Sequence, residues 1–127
     1  MSFFPCLAAA MVVVAAPPET ETIESLIRAV AALQGAVFIR NGSEHSPKEA
    51  ADHLRLKWKN AGRRVVTAPD FIRYCASKSS LSGKPYEIRL QDGRTVLASD
   101  WLWTELKRLR SISQPATIVQ ATHPPAR

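Results

Sequence analysis

Cysteine is nearly absent from this 127-residue chain, which holds only Cys6 and Cys75. Cys6 falls in an N-terminal stretch with the composition of a removable leader, so Cys75 would remain as a lone thiol and no internal disulfide could form. The core has to hold without cross-links. Charged side chains are missing from residues 1–16, since all seventeen Lys/Arg and all eleven Asp/Glu come later. No apolar run is long: the stretch FFPCLAAAMVVVAA at residues 3–16 is shorter than the roughly 18 to 20 residues of a membrane span. Several chemical signatures are also lacking. There is no His-Glu-x-x-His, no Ser-x-x-Lys, no nucleophile elbow and no complete phosphate-binding loop, which removes the motif-based grounds for a zinc protease, a serine hydrolase or a nucleotide enzyme.

The apolar stretch ends in small residues, and Pro17, Pro18 and a Glu/Thr cluster follow it abruptly. That pattern predicts a signal peptide over residues 1–16, although only the terminal amine supplies positive charge ahead of it. Cys6 lies ahead of the main apolar part of that stretch rather than just after it, so it is not placed as a lipid-modified cysteine. The expected organisation is a linker over 17–21, one folded domain over 22–110 and a disordered Pro-bearing tail over 111–127, with a periplasmic or secreted location. The net charge of +6 then belongs wholly to the mature body. Between Arg55 and Arg94 ten basic residues face three acidic ones, a field that favours anionic partners. For an exported protein these are an anionic envelope component or an acidic protein, with nucleic acid remote.

Ile23, Leu26, Ile27, Val30 and Leu33 recur at helical spacing after Thr20 and Thr22, which can cap the start. Val37 to Ile39 is a short β-prone run that stops at the turn pair Asn41-Gly42. Ser46-Pro47-Lys48-Glu49 then reads as a full helix start, with Ser as cap, Pro at the first position and Glu reaching back to the cap amide. Ala50, Ala51, Leu54, Trp58 and Ala61 form the apolar stripe of that helix, and Gly62 ends it. Thr67-Ala68-Pro69-Asp70 starts a third helix that buries Phe71, Ile72 and Cys75. Tyr86, Ile88 and Leu90 alternate with Glu87 and Arg89 as a half-buried strand, Gln91-Asp92-Gly93 turns, and Arg94 to Leu97 returns. Ser99-Asp100 opens a last helix with Leu102, Leu106 and Leu109 on one stripe, and Trp101 and Trp103 beside it, where one could stack with Lys107 or Arg110. The order α-β-α-α-β-β-α predicts a compact α+β domain, about four helices on one face of a mostly antiparallel sheet of about three strands.

The stretches FIRNGSEHSPKEAADHLRLKW, TAPDFIRYCASKSSLSGKPYEIRL and DGRTVLASDWL together resemble the small exported bacterial proteins of domain of unknown function family 5329. The resemblance covers about residues 23–110 and implies an envelope location. It brings no activity, cofactor or catalytic residue.

Two clusters invite a chemical reading. His45, Glu49 and His53 are spaced four apart, and two imidazoles with a carboxylate suit zinc in a small metal-dependent hydrolase. Against that, His45 lies outside the helix, Glu49 is wanted by the cap, and His53 sits at the margin of the apolar stripe, where a histidine packs its ring and hydrogen-bonds once. The loop SKSSLSGKPY offers Ser79, Ser80, Ser82 and Lys84, yet its hydroxyls are more simply read as bonding the backbone while Gly83 supplies an unusual dihedral. The favoured expectation is therefore a non-enzymatic binding domain with no cofactor. Its surface comprises the turn from Arg40 and Asn41 to Glu49, the flank Arg55 and Lys59, and the loop Ser80, Ser82, Lys84 and Tyr86, with Tyr86 as a contact surface.

Overall fold

A computed structural model describes residues 17–113; the expected leader and the tail beyond Ser113 lie outside the described residues. The chain forms α1 (Glu19–Ala31), β1 (Val37–Arg40), β2 (Ser43–His45), α2 (Pro47–Ala61), a 3-10 turn at Gly62–Arg64, α3 (Ala68–Cys75), β3 (Glu87–Arg89), β4 (Thr95–Leu97) and α4 (Ala98–Ser113). The α+β class is as expected, but the sheet has four strands rather than three, in the order β2-β1-β3-β4 and antiparallel throughout. The added strand is β2. Asn41 and Gly42 have φ values of 51° and 76°, and two successive residues at positive φ make the tight turn that folds a chain straight back beside itself. Ser43, Glu44 and His45 are thereby paired with Arg40, Ile39 and Phe38 despite having no apolar alternation of their own.

Both capping boxes form. The Ser46 amide donates to Glu49 Oε2 at 2.8 Å while the Glu49 amide donates to Ser46 Oγ at 3.2 Å, and Thr67 and Asp70 repeat the exchange at α3. The ends of the fold reach further than periodicity placed them. α1 begins at Glu19 after Pro18, without a side-chain cap, because Glu19 has a tertiary role: its Oε2 accepts from the Ala68 amide at 2.7 Å, at the start of α3. Its other oxygen lies 3.5 Å from Arg110 Nη2 on α4. At the far end, the hydroxyls of Ser111 and Ser113 donate to the carbonyls of Lys107 and Leu109, and α4 runs through residues 111–113.

The helices cover one face of the sheet. Because paired residues share a face, Phe38, His45, Ile88 and Val96 point toward them, and Phe38 and Ile88 join the core with Ile23, Leu26, Ile27, Leu54, Phe71, Ile72, Leu102 and Leu106. Cys75 is fully buried, and burial raises its thiol pKa, which makes it an inert packing residue. The opposite face carries Ile39, Glu87, Arg89 and Leu97, with an Arg89–Glu44 ion pair crossing it. Trp103 lies under a guanidinium, but that of Arg73 on α3, 5.8 Å from the ring centroid, rather than Lys107 or Arg110. No helix among the described residues is long and apolar enough to cross a membrane.

Candidate functional site

Placing β1 between β2 and β3 brings together residues that sequence spacing kept apart. Arg40 ends β1 on the same face as Phe38, His45 sits opposite Phe38 on β2, and α2 begins two residues later. Between this corner of the sheet and α2 lies a cavity of about 40 Å³ whose walls include Val30, Phe38, Leu54, Ala76, Ala98 and Leu102. Arg40, His45, Glu49, His53 and Tyr86, five of the residues singled out in the sequence, also line it, almost entirely through their carbon atoms. Among the described residues Arg40 has no carboxylate within ion-pairing distance.

Tyr86, expected both on the buried face of a strand and as a contact surface, lies on the buried face. It is 8 % exposed, because it precedes β3 on the core-facing side and its ring packs under the helices. Its hydroxyl accepts a hydrogen bond from Lys57 Nζ at 3.0 Å and stands 3.4 Å from His53 Nε2. Lysine can only donate, so the tyrosine hydroxyl keeps its own hydrogen and can offer it to His53 Nε2; the direction of that second bond follows the tautomer of neutral His53. Burial, chiefly, with the positive charges of Arg40 and Lys57 and the nearby His45, holds the His53 pKa down at about 4, consistent with that neutral state. The two rings meet edge to face, with centroids 6.1 Å apart at 80°.

This arrangement predicts a pH effect of definite sign. The unfolded chain protonates His53 near pH 6.5 while the folded one resists until about 4, so the contribution of this group is fully present above pH 6.5 and is lost as pH falls toward 4. After discounting for the partial solvent access of the ring, the loss is about 1–2 kcal/mol. Urea unfolding at pH 7 and near pH 4.5 checks it: His53→Gln should show a smaller drop between the two pH values than the parent, and an equal drop would remove His53 as the cause.

His45 and Glu49 have other engagements. Glu49 is held by the Ser46 amide, which together with the Ser46 hydroxyl, His45 and Lys48 lowers its pKa. His45 Nδ1 lies 3.9 Å from Glu49 Oε2, whereas His45 Nε2 is buried with no hydrogen-bond partner among the described residues. No three His, Cys, Asp or Glu side chains among the described residues stand close enough together to hold a metal ion, so His45, Glu49 and His53 do not compose a zinc set. The helix cap and the tyrosine claim two of the three.

The loop after α3 is fastened to the β1–β2 turn. Asn41 Nδ2 donates to Ser79 Oγ at 3.1 Å, and Ser82 Oγ donates to Asn41 Oδ1. Ser79, buried, also accepts from the amides of Leu81 and Ser82, and Ser82 accepts from the Lys84 amide, while Gly83 sits at φ 72°. Asn41 and Ser82 are thus consumed by each other, as the backbone-bonding reading of the loop anticipated in kind. Ser80 and Lys84 are exposed, and Leu81 at the tip is 95 % exposed. On α2, Arg55 pairs with Glu24 on α1 at 3.3 Å, and Lys59 stays exposed at the rim of a separate shallow depression. Lys57, which spacing did not single out, is the basic residue that reaches the site, through Tyr86 and the Lys78 carbonyl.

Fold and site together define a small α+β domain with a narrow apolar cavity, with Arg40, His45 and His53 among the residues around it. Residues 17–110 match the family of unknown function DUF5329, and the chain belongs to that family. A stretch of 68 residues, 54 % of this chain, is 44 % identical to the uncharacterized protein YfeK of Salmonella typhimurium. The match spans 57 % of that relative's length. No solved structure matches the chain.

Proposed function

We propose that this chain is an exported, envelope-located binding domain without catalytic activity, and that it takes an anionic envelope component or protein partner at the corner of the sheet bounded by Arg40. The single observation that carries the reading is the setting of Arg40: a guanidinium with no carboxylate partner among the described residues, beside a cavity with apolar walls. Such a charge, partly desolvated and not neutralised internally, favours an anion from outside. Of the wider surface expected from sequence, Asn41 and Ser82 satisfy each other and Arg55 is paired, while Lys59, Ser80 and Lys84 stay exposed. A metal-dependent hydrolase at His45, Glu49 and His53 has no geometric support.

Two measurements test the proposal. Binding of the purified mature protein to a solubilised envelope fraction should weaken severalfold as salt rises from about 50 mM to about 500 mM, because exposed charge pairs are screened over that range. Arg40→Gln should produce most of the same loss at low salt. Salt-independent binding, or an Arg40→Gln protein that binds as the parent does, would remove the basis of the reading. Export is tested separately by mass: protein recovered from the periplasm should begin at Pro17, and an intact leader on cytosolic protein would count against it.

A further inference from the structure

We infer that the loop at residues 78–84 rests on the surface of an anionic lipid bilayer, with Leu81 entering the acyl boundary and Lys78 and Lys84 meeting the headgroups. The contact is peripheral and reversible. It goes beyond the reading at Arg40, because it uses other side chains and requires only a bilayer that carries negative charge.

A single exposed leucine needs no explanation by itself. What sets Leu81 apart is how the loop holds it. Ser79, only 4 % exposed, is the hub: its Oγ accepts from the amides of Leu81 and Ser82 and from Asn41 Nδ2. Its carbonyl accepts from the Gly83 amide at 2.9 Å, and its own amide donates to the Lys84 carbonyl at 3.0 Å. The Lys84 amide donates to Ser82 Oγ at 3.2 Å, and Pro85 has no N–H. Every amide from residue 81 to residue 85 is therefore either bonded or absent. The polar groups are turned into the loop, while the Leu81 side chain stands 95 % exposed at its tip. Unpaired N–H groups are what make an ordinary loop costly to bring against hydrocarbon, and this tip brings none at those positions. Because the hydrogen bonds already fix its shape, little ordering remains to be done on contact.

Charge supplies the second half. Lys78 and Lys84 stand three residues to either side of Leu81, are exposed, and take part in no ion pair among the described residues. Lys57 Nζ donates to the Lys78 carbonyl at 3.0 Å and adds a third positive charge at the base of the loop. No acidic residue occurs between Asp70 and Glu87, or between Glu24 and Glu44, the two stretches that supply the loop and the Asn41 turn to which it is fastened. Glu44, just past that turn, is neutralised by Arg89. An apolar tip ringed by cations is the combination that binds an anionic bilayer: one inserted side chain or a few lysines hold weakly alone, and the two signals together hold reversibly. Lysine stems can lie along the membrane surface and lift their ammonium groups to the level of the phosphates. An acidic protein would engage the lysines equally well, but a stable protein interface buries about 800 Å² per partner, and a convex loop tip with one apolar side chain offers nothing on that scale. A soft, planar surface suits it better.

The test is co-sedimentation of the purified protein with vesicles of phosphatidylcholine alone, and with vesicles in which about 30 mol % is replaced by anionic phosphatidylglycerol. Variants of one and the same chain are compared, so that any contribution of residues 3–16 is common to all. Binding should favour the anionic vesicles by tenfold or more, at about fivefold for each exposed lysine, and Lys78→Gln with Lys84→Gln should remove most of that preference. Leu81→Ser should weaken binding to the anionic vesicles about tenfold. All three positions are exposed, so these variants should keep the parent's Tm. Leu81→Trp should bind at least as tightly, since tryptophan favours the interface, and its added emission should move to shorter wavelength on anionic vesicles and be quenched by brominated acyl chains. Leu81→Ser binding as the parent does would overturn the inference, as would a Leu81→Trp emission that stays unmoved while the protein sits on the vesicles. Equal binding to neutral and anionic vesicles would do the same. If vesicles are ignored but Leu81→Ser weakens binding to a lipid-free envelope extract, the loop's partner is a protein and the bilayer assignment falls. If vesicles are ignored while Arg40-dependent binding to the envelope fraction persists, this inference fails and the reading at Arg40 stands. Vesicle binding that depends on Leu81, together with an Arg40→Gln protein that binds the envelope fraction as the parent does, keeps this inference and removes the other.

Discussion

Replacing Phe71 with alanine should lower the unfolding free energy by about 3–5 kcal/mol, the range for truncating a fully buried phenylalanine. Phe71 has no exposed surface and stands on α3 where that helix meets α1, α2 and α4. Its ring meets Trp58 edge to face, with centroids 6.2 Å apart at 71°, so the variant loses an aromatic pair as well as packing. Each kcal/mol shifts the melting temperature by about 4–8 °C in a domain of this size, and the drop should be easily read in a thermal scan. In urea the midpoint should fall while the slope stays the same, because the surface exposed on unfolding hardly changes. A loss under about 1 kcal/mol would mean that the neighbouring helices close the void, and that the core is far more plastic than its burial implies.

The second large effect is expected at Asn41. Its backbone sits at φ 51°, a region that costs most L-residues about 1–2 kcal/mol and asparagine less. Its amide bridges Ser79 and Ser82, 38 and 41 residues away, at about 0.5–1.5 kcal/mol for each bond. Asn41→Ala therefore loses on both counts, and a destabilisation of about 2–3 kcal/mol is expected. Asn41→Gly keeps the permissive backbone and loses only the bridge, so it should cost about half as much. Chemical denaturation of the two variants side by side separates the contributions. Equal losses would assign the whole effect to the bridge and none to the turn.

These two positions also mark what could be read in the chain. Local chemistry was legible: Ser46 and Thr67 cap as spaced, Cys75 packs, and Gln91-Asp92-Gly93 turns a hairpin. His53 does what a residue at the margin of a stripe does, resting its ring and making one hydrogen bond. The strand at Ser43–His45 was not legible from pattern, because three polar residues carry no period; its trace lay in the two-residue Asn-Gly turn, a hairpin signal. Long-range placement was out of reach. That β1 lies beside β3 is what carries Arg40 and Asn41 to the loop at residues 79–86 and sets Arg40 near His53, and nothing within ten residues of either encodes it. Tyr86 illustrates the same limit, since alternation assigned it to a buried face but could not reveal that its hydroxyl would stand between Lys57 and His53. Trp103 found Arg73 rather than a helical neighbour for the same reason.

Glu19 carries a practical consequence for anyone trimming or fusing this protein. Its carboxylate fills the vacancy at the first amide of α3, 49 positions downstream, and holds Arg110 near the far end of the fold. A truncation that stops at residue 18 leaves that tether whole. One that runs a single residue further would be felt not as a shorter first helix but as a loosened start to the third.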